Sequence, residues 1–361
     1  MADPVSVVMP VRNGERLLCE SVRHVLAQDY PGELELVLAV GPSKDKTAEL
    51  ANRLAGQDQR ITVVPNPSGQ IPSALNAAVR ASRHQLIIRA DVRSRLPASY
   101  VATAVRTLAQ TGAVNVGGVR AARGVTHFEQ GVAWAMTSPA GLGTSPYNTG
   151  GPAGPSESVY LGAFRRAAIE DVGGYDERYL GAEDWQLNHR IRGAGGLIWF
   201  QPEMRAGYRP GGSIREISSQ YFLYGRWRRV IMRRYGPVNL RFLSPAAVLL
   251  ALTAGMLAGL AGLALVAEAA GGWWPWLLTA GLGVPLAYLI ALAVVAARAG
   301  TDGTLSGRSL TWLPLVLAAM HLCWGAGFLT SPRHLGDPAR QARLRRPRGA
   351  QPRRSAGREE T

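Results

Sequence analysis

Three apolar blocks toward the C-terminal end set the strongest limit on how this chain folds. They run over residues 245–270, 273–297 and 310–329 and hold few charges. As helices, each is long enough to cross ~30 Å of hydrocarbon. Core helices of water-soluble domains rarely reach that length with so little charge, so membrane insertion is the expectation. Trp273, Trp274, Trp276 and Trp312 cluster near block starts, where indole rings favour the boundary between water and hydrocarbon. Residues 1–240, in contrast, mix charged and apolar positions as a water-soluble domain does. The expected organisation is a domain over 1–242 with a membrane-surface segment at 220–242, three transmembrane helices over 243–330, and a basic flexible tail over 331–361.

The formal net charge of +15 invites a nucleic-acid reading, but the location of the charge argues against one. Much of the excess lies beside or beyond the apolar region. Residues 226–235 interleave arginines with Trp227, Val230, Ile231, Met232 and Tyr235 just before the first block, where anionic headgroups are the nearest partner. Membrane lipids are therefore expected partners, and nucleic acid is not. Nine further arginines run from Arg333 through Arg358. The two cysteines, Cys19 and Cys323, suggest neither a zinc site nor a disulfide framework. The opening Met1-Ala2-Asp3-Pro4 lacks the basic head and apolar core of a secretion signal, so the soluble domain is expected on the cytoplasmic side. Three crossings then carry the tail outside, whereas its arginines favour the inside. A re-entrant or interfacial block would reconcile the two.

The first hundred residues alternate short apolar runs with amphipathic stretches. Strands are predicted at 5–9, 34–40, 61–64 and 85–88, and helices at 15–28, 47–54 and 74–81, with Ser43 or Asp45 and then Ser73 as caps. This alternation indicates an α/β domain with a mainly parallel sheet. Loops beginning near Pro10, Gly41, Pro65 and Arg89 should surround one cleft at the carboxyl ends of the strands. Beyond these, a helix is expected at 96–109 and a strand at 113–119. A mobile Gly/Pro-rich loop at 138–156, a strand at 159–164, a helix over 184–192 and an edge or terminal strand at 197–200 follow.

Several residues are placed for chemistry. Asp91 ends an apolar strand, where a carboxylate meets a bound Mg²⁺ or Mn²⁺ and a diphosphate; capping the next segment is the ordinary alternative. Arg93 replaces a second acid there and is either a diphosphate contact or a surface arginine. Glu183 and Asp184 begin a helix, which acids do for capping reasons, yet a carboxylate in that place can also deprotonate an attacking hydroxyl. Gln220, Arg226 and Trp227 suit a diphosphate and a sugar ring, or a basic helix face on the membrane.

Taken in order, the motifs resemble glycosyltransferase family 2, and within it the succinoglycan-biosynthesis ExoA-like branch. The resemblance rests on Val5 through Asn13, Ser43-Lys44-Asp45-Lys46-Thr47, Gln70 through Asn76, and Ile88-Arg89-Ala90-Asp91. It continues in Val159 through Arg166, Gly173-Gly174-Tyr175-Asp176, Glu183 through Asn188, and Gln220 through Arg228. It implies a GT-A nucleotide-diphospho-sugar transferase fold followed by membrane helices, and an inverting, hexosyl-type transfer. Asp184 would be the general base, with Glu183 beside it. The nucleotide-diphospho-sugar would be held by Pro10, Asn13, Asp45, Asn76, Arg89, Asp91, Arg93, Gln220, Arg226 and Trp227, and Asp91 would ligate the divalent ion. A lipid-linked saccharide acceptor would enter past residues 138–156 and 158–166. Two positions depart from the family pattern. Val40-Gly41 stands where members often have a base-contacting acid, and Arg93 where they have Asp or His. Those departures leave a sugar-binding scaffold without turnover as the competing expectation. No periodic interface pattern compels a homo-oligomer.

Overall fold

The computed structural model describes residues 2–141, 145–236, 240–268, 272–305 and 307–336. Its first part alternates as expected: β1 (Val5–Val11), α1 (Leu18–Leu26), β2 (Leu34–Val40), α2 (Thr47–Gln57), β3 (Ile61–Pro65), α3 (Ile71–Ala81) and β4 (Leu86–Arg89). β1 lies between β2 and β4, and all four strands are parallel. Such strands are covered on both faces, so they read as nearly continuous apolar runs. In β1, Val7 and Met9 face the core shared with Leu18, Val22 and Val25 of α1. Val8, on the opposite face, packs with Ala74, Leu75 and Ala78 of α3.

The second part adds β5 (Ser94–Arg95), α4 (Tyr100–Thr111), β6 (Asn115–Ala122), α5 (His127–Thr137), α6 (Pro146–Thr149), β7 (Gly154–Pro155) and β8 (Tyr160–Arg165). After them come α7 (Arg166–Glu170), α8 (Glu183–Gly193), β9 (Ile198–Tyr208) and the long α9 (Ile214–Tyr235). The sheet order is β3-β2-β1-β4-β8-β6-β9-β5, with β7 against β9. β8 runs antiparallel between β4 and β6, so the sheet is mixed, with β6 and β9 again parallel beyond the reversal.

Several boundaries differ from the sequence expectation for local reasons. The helix expected from residue 15 starts at Leu18, because the preceding amides are drawn elsewhere: Gly14 N–H donates to Thr47 Oγ1 at 2.8 Å and Glu15 N–H to Asp45 at 3.2 Å. Ser73 does not cap α3. Pro72 sits in its first turn, and the Ser73 hydroxyl donates back to the Gln70 carbonyl at 3.0 Å. The strand at 197–200 is neither short nor terminal, since β9 continues to Tyr208 between β6 and β5. Residues 138–156 contain α6 and β7. Unforeseen was α5, although its capping box, Thr126 with Glu129, stands in the sequence.

The apolar region forms α10 (Ser244–Ala267), α11 (Trp274–Thr279), α12 (Gly283–Thr301) and α13 (Arg308–Leu329). Three stretches, Leu240–Ala267, Trp274–Thr301 and Arg308–Leu329, are long and apolar enough to cross a membrane. Leu257, Leu260, Leu286, Leu289 and Trp276 are exposed along the first two. The third behaves differently: Leu313, Val316, Leu317 and Met320 are buried against Val132 and Met136 of α5 and Ile217 and Tyr221 of α9. The tail beyond residue 336, and with it the question of its side, lies outside the described residues.

α9 and α13 meet through two glycines. A Cβ at Gly225 would lie 2.0 Å from the Trp324 carbonyl oxygen, and one at Gly327 would lie 2.0 Å from that of Phe222. Neither helix backbone can yield without opening the seam. Gly225→Ala is expected to cost about 1–3 kcal/mol through overpacking, read as a lowered thermal midpoint of the detergent-solubilised protein. An unchanged midpoint would show that the seam is loose.

Candidate functional site

The carboxyl ends of the parallel strands are tied together before any ligand arrives. Asn13, in a left-handed conformation at φ 48°, donates its amide to Ser43 Oγ at 3.0 Å and accepts from Lys44 N–H through its side chain at 2.9 Å. Asp45 accepts from the amides of Glu15 and Thr47 and from the Thr47 hydroxyl. Arg12 reaches the carbonyls of Pro42 and Gly69, both at 3.2 Å, and so joins three loops. Asn13 and Asp45 therefore shape the rim of the cleft. Pro10 lies within β1, opposite Ala39. Asn76 is committed to the protein itself: it donates to the Tyr175 carbonyl and accepts from the Tyr175 amide, each at 2.8 Å. That clasp holds the Gly173-Gly174-Tyr175 turn.

β4 delivers the centre of the site. Arg89 is its last residue, and its side chain is 5% exposed. Its Nε donates to one Asp91 oxygen at 3.1 Å and its Nη2 to the other at 3.3 Å. Both terminal nitrogens also reach Glu183 Oε1 at 3.3 Å, and Nη1 pairs with Asp184 Oδ1. One guanidinium thus gathers three carboxylates from two segments more than ninety residues apart. The planar fork makes this geometry possible, whereas a lysine would offer only a point charge.

Ala182 presents the acids. It holds φ 61° immediately before α8, a left-handed turn that costs a residue with a Cβ roughly 1–2 kcal/mol. Trp227 supports this turn from behind, so close that a Cβ on Gly181 would meet its ring at 2.5 Å. Although 36% of the Asp184 side chain is exposed, protein packs closely around its carboxylate. That desolvation, opposed by Arg89 and reinforced by Glu183 and Asp91, lifts its pKa to about 7.

The remaining sequence candidates separate. Arg93 and Gln220 line one cleft of about 500 Å³ with Tyr208, Gly211, Arg215, Glu216 and Ser219. Trp227 is not placed to cover a sugar: it is 5% exposed, in a cluster with Tyr179, Trp185 and Ile231. Arg226 stacks on Phe222 at 4.5 Å, and its carbonyl accepts from Ser331 beyond the end of α13. It belongs to the helix seam, which accounts for its place more directly than a diphosphate does. The sequence reading missed Arg120, a buried arginine on β6, although a basic residue at the end of an apolar run was the available signal.

Among the described residues no group of three or more His, Cys, Asp or Glu could hold a metal ion. An all-protein cage is therefore ruled out there, but Mg²⁺-like ions usually take one or two carboxylates and complete their shell with phosphate and water. Asp91 suits that arrangement. Its side chain is 29% exposed, and each oxygen keeps a lone pair beyond its bond to Arg89.

Comparison with known proteins follows the same lines. The family model described as glycosyl transferase family 2 matches residues 6–173. The succinoglycan biosynthesis protein ExoA of Rhizobium meliloti (strain 1021) is 30% identical over 328 residues, covering 89% of this chain and 93% of that protein. The glycosyltransferase GlyG of Streptococcus pneumoniae serotype 4 is 29% identical over 92 residues, 25% of this chain and 30% of that protein. Among solved structures, the mannosyltransferase PcManGT of Pyrobaculum calidifontis, in complex with GDP-Man and Mn²⁺, aligns over 91% of this chain and 88% of that one. Its TM-score is 0.56 and its identity 19%, a likeness of fold.

Removing Arg89 should expose the repulsion it restrains. Arg89→Gln leaves three carboxylates without their shared cation, a loss on the order of 3–5 kcal/mol for breaking a buried pair. Arg89 opposes the upward shift of the Asp184 pKa, so without it that pKa rises further. The penalty therefore applies at high pH and fades as falling pH protonates Asp184. Thermal melts of the variant should lie closer to wild type at pH 5 than at pH 8; the reverse order would contradict this electrostatic account.

Proposed function

The chain belongs to glycosyl transferase family 2, and from that premise we propose that it transfers a sugar, with inversion, from a nucleoside-diphosphate donor to a polyprenyl-diphosphate-linked acceptor. The observation that carries this reading is the cluster of Asp91, Glu183 and Asp184 on Arg89, at the carboxyl end of β4. Asp184 is the base. Arg89 fixes its Oδ1, and Oδ2 takes the proton of the acceptor hydroxyl as that oxygen attacks the anomeric carbon. A carbon–oxygen bond forms on one face of the sugar while the bond to diphosphate breaks on the other. The nucleoside diphosphate departs and the configuration inverts. Glu183 steadies Arg89, and Arg93 at the adjoining cleft offers positive charge to a phosphate. A bound Mg²⁺ or Mn²⁺, ligated by Asp91, would neutralise diphosphate charge.

Membrane attachment fits the exposed leucines of α10 and α12 and the three spans of sufficient length. We take residues 1–242 as a catalytic domain on the cytoplasmic face, 243–330 as multi-pass helices and 331–361 as a basic tail. A lipid-linked acceptor would keep its chain in the bilayer while its sugar reaches the carboxylates. The relative named for succinoglycan biosynthesis supports a role in assembling a surface polysaccharide or glycolipid.

Radiolabelled sugar supplied from a panel of nucleotide donors and recovered in membrane lipid extracts tests the reading. Asp184→Asn should retain donor binding and lose transfer by about 10²–10⁴-fold, the usual worth of a general base; full activity in a folded variant would remove Asp184 from the mechanism. Because the base must be unprotonated, the wild-type kcat/KM should rise with pH through about 7 and fall away below it. Metal titration of Asp91→Ala should show a weakened response, and an unaltered titration would exclude ligation by Asp91.

A further inference from the structure

Arg120 is a buried cation on β6. It is 9% exposed, and among the described residues no carboxylate pairs with it. Its Nη2 donates to Asn148 Oδ1 on α6 at 2.6 Å. The rings of Tyr208 on β9 and Tyr160 on β8 lie 5.5 and 5.9 Å from its guanidinium carbon. Tyr147, Tyr221 and Tyr224 complete the surroundings. Stacking on aromatic faces offsets part of the desolvation of a buried charge, but it leaves the guanidinium without a counter-ion.

Two hydroxyls among these tyrosines are unsatisfied. Tyr160 Oη and Tyr221 Oη are buried and have no hydrogen-bond partner. Buried donors without partners are rare in folded proteins and call for a missing partner. The cation and both hydroxyls offer protons, so their chemical complement is an anion rich in acceptors.

The location narrows the choice. Tyr160 lies near enough to Asp91 to feel its charge as well as that of Arg120, which places these residues beside the catalytic carboxylates. Tyr221 belongs to the core that α9 shares with α13, which places it against the apolar helices as well. Tyr208 also forms a wall of the cleft that carries Arg93 and Arg215. Its lining acid, Glu216, is turned to the Gly212 amide at 3.2 Å. A phosphate here would have sugar-transfer chemistry on one side and hydrocarbon on the other.

We propose that Arg120, Tyr160 and Tyr221 form an anion subsite, distinct from the donor's, that receives the diphosphate of the lipid-linked acceptor. This rests on the transferase reading above but is tested by binding alone. Full-length protein in detergent is titrated with farnesyl diphosphate, inorganic pyrophosphate and UDP or GDP, without turnover. Arg120→Gln should weaken farnesyl diphosphate binding at least tenfold. Tyr160→Phe and Tyr221→Phe should each weaken it three- to tenfold. Nucleotide binding should be unchanged in all three. The tyrosine variants guard against misfolding, because each removes only a hydroxyl that bonds to nothing in the free protein and should melt no lower than wild type. Wild-type farnesyl diphosphate binding in both tyrosine variants would overturn the proposal. So would pyrophosphate binding as tight as that of the lipid, or nucleotide binding that depends on Arg120. If the subsite binds as expected and the Asp184→Asn assay leaves transfer intact, the mechanism fails and the subsite stands.

Discussion

Arg89 carries more of this site than any other side chain, because three carboxylates cannot share a small, partly dry space without a cation among them. Its guanidinium is desolvated, and that loss is recovered only while all three acids stay in place. The surrounding structure is arranged accordingly. β4 ends at the arginine, Ala90-Asp91 turns back on to it, and Ala182 accepts a left-handed conformation so that α8 opens with Glu183 and Asp184 facing it. One positive charge against three negative ones still leaves the cluster acidic. Desolvation of the Asp184 carboxylate, reinforced by that surplus, lifts it toward neutrality.

Around this centre the sheet divides into two kinds of structure. The parallel half, β3-β2-β1-β4, ends in loops clasped to one another through Arg12, Asn13, Asp45 and Thr47. Such a rim is formed before ligand binds, so little ordering is left for binding to impose. The other half, where β8 reverses direction between β4 and β6, brings Tyr160, Arg120 and Tyr208 to the side facing α9. The reversal matters because it sets a cationic, aromatic surface next to the acidic one.

Much of this was legible in the sequence, and the exceptions share a cause. Strand–helix alternation, the Ile88-Arg89-Ala90-Asp91 strand end, the acids at 183–184 and the three apolar blocks are local patterns, and local patterns survive in a single sequence. Trp227 is an instance of the opposite kind. An indole near a membrane suits a sugar or a core equally well, and only the approach of Gly181 from forty-six residues away assigns it to the core. Asn76 and Asp45 likewise look like ligands until their partners, Tyr175 and Glu15, are seen to occupy them. Arg120 escaped notice because its meaning lies in what is missing around it. No stretch of sequence records the absence of an acid.

The last apolar helix ties the two regions together. By length and composition α13 is a membrane span, yet 39% of its most apolar window is buried, against 17% and 6% for the other two. Its buried face is shared with α5 and α9, and at Gly225 and Gly327 the two backbones touch with no room for a side chain. A flexible linker would let the soluble domain tumble above the bilayer. A glycine seam instead fixes how α9 sits on α13. α9 carries Tyr221 and Tyr224 toward Arg120, and Trp227 toward the turn that presents Asp184. The apolar helices and the carboxylate cluster are thus set by one helix. In the proposed transfer, an acceptor whose headgroup stands at a constant depth would meet the carboxylates at a constant distance. For a transfer that needs its hydroxyl within hydrogen-bond reach of one carboxylate oxygen, that constancy is worth more than a wider search.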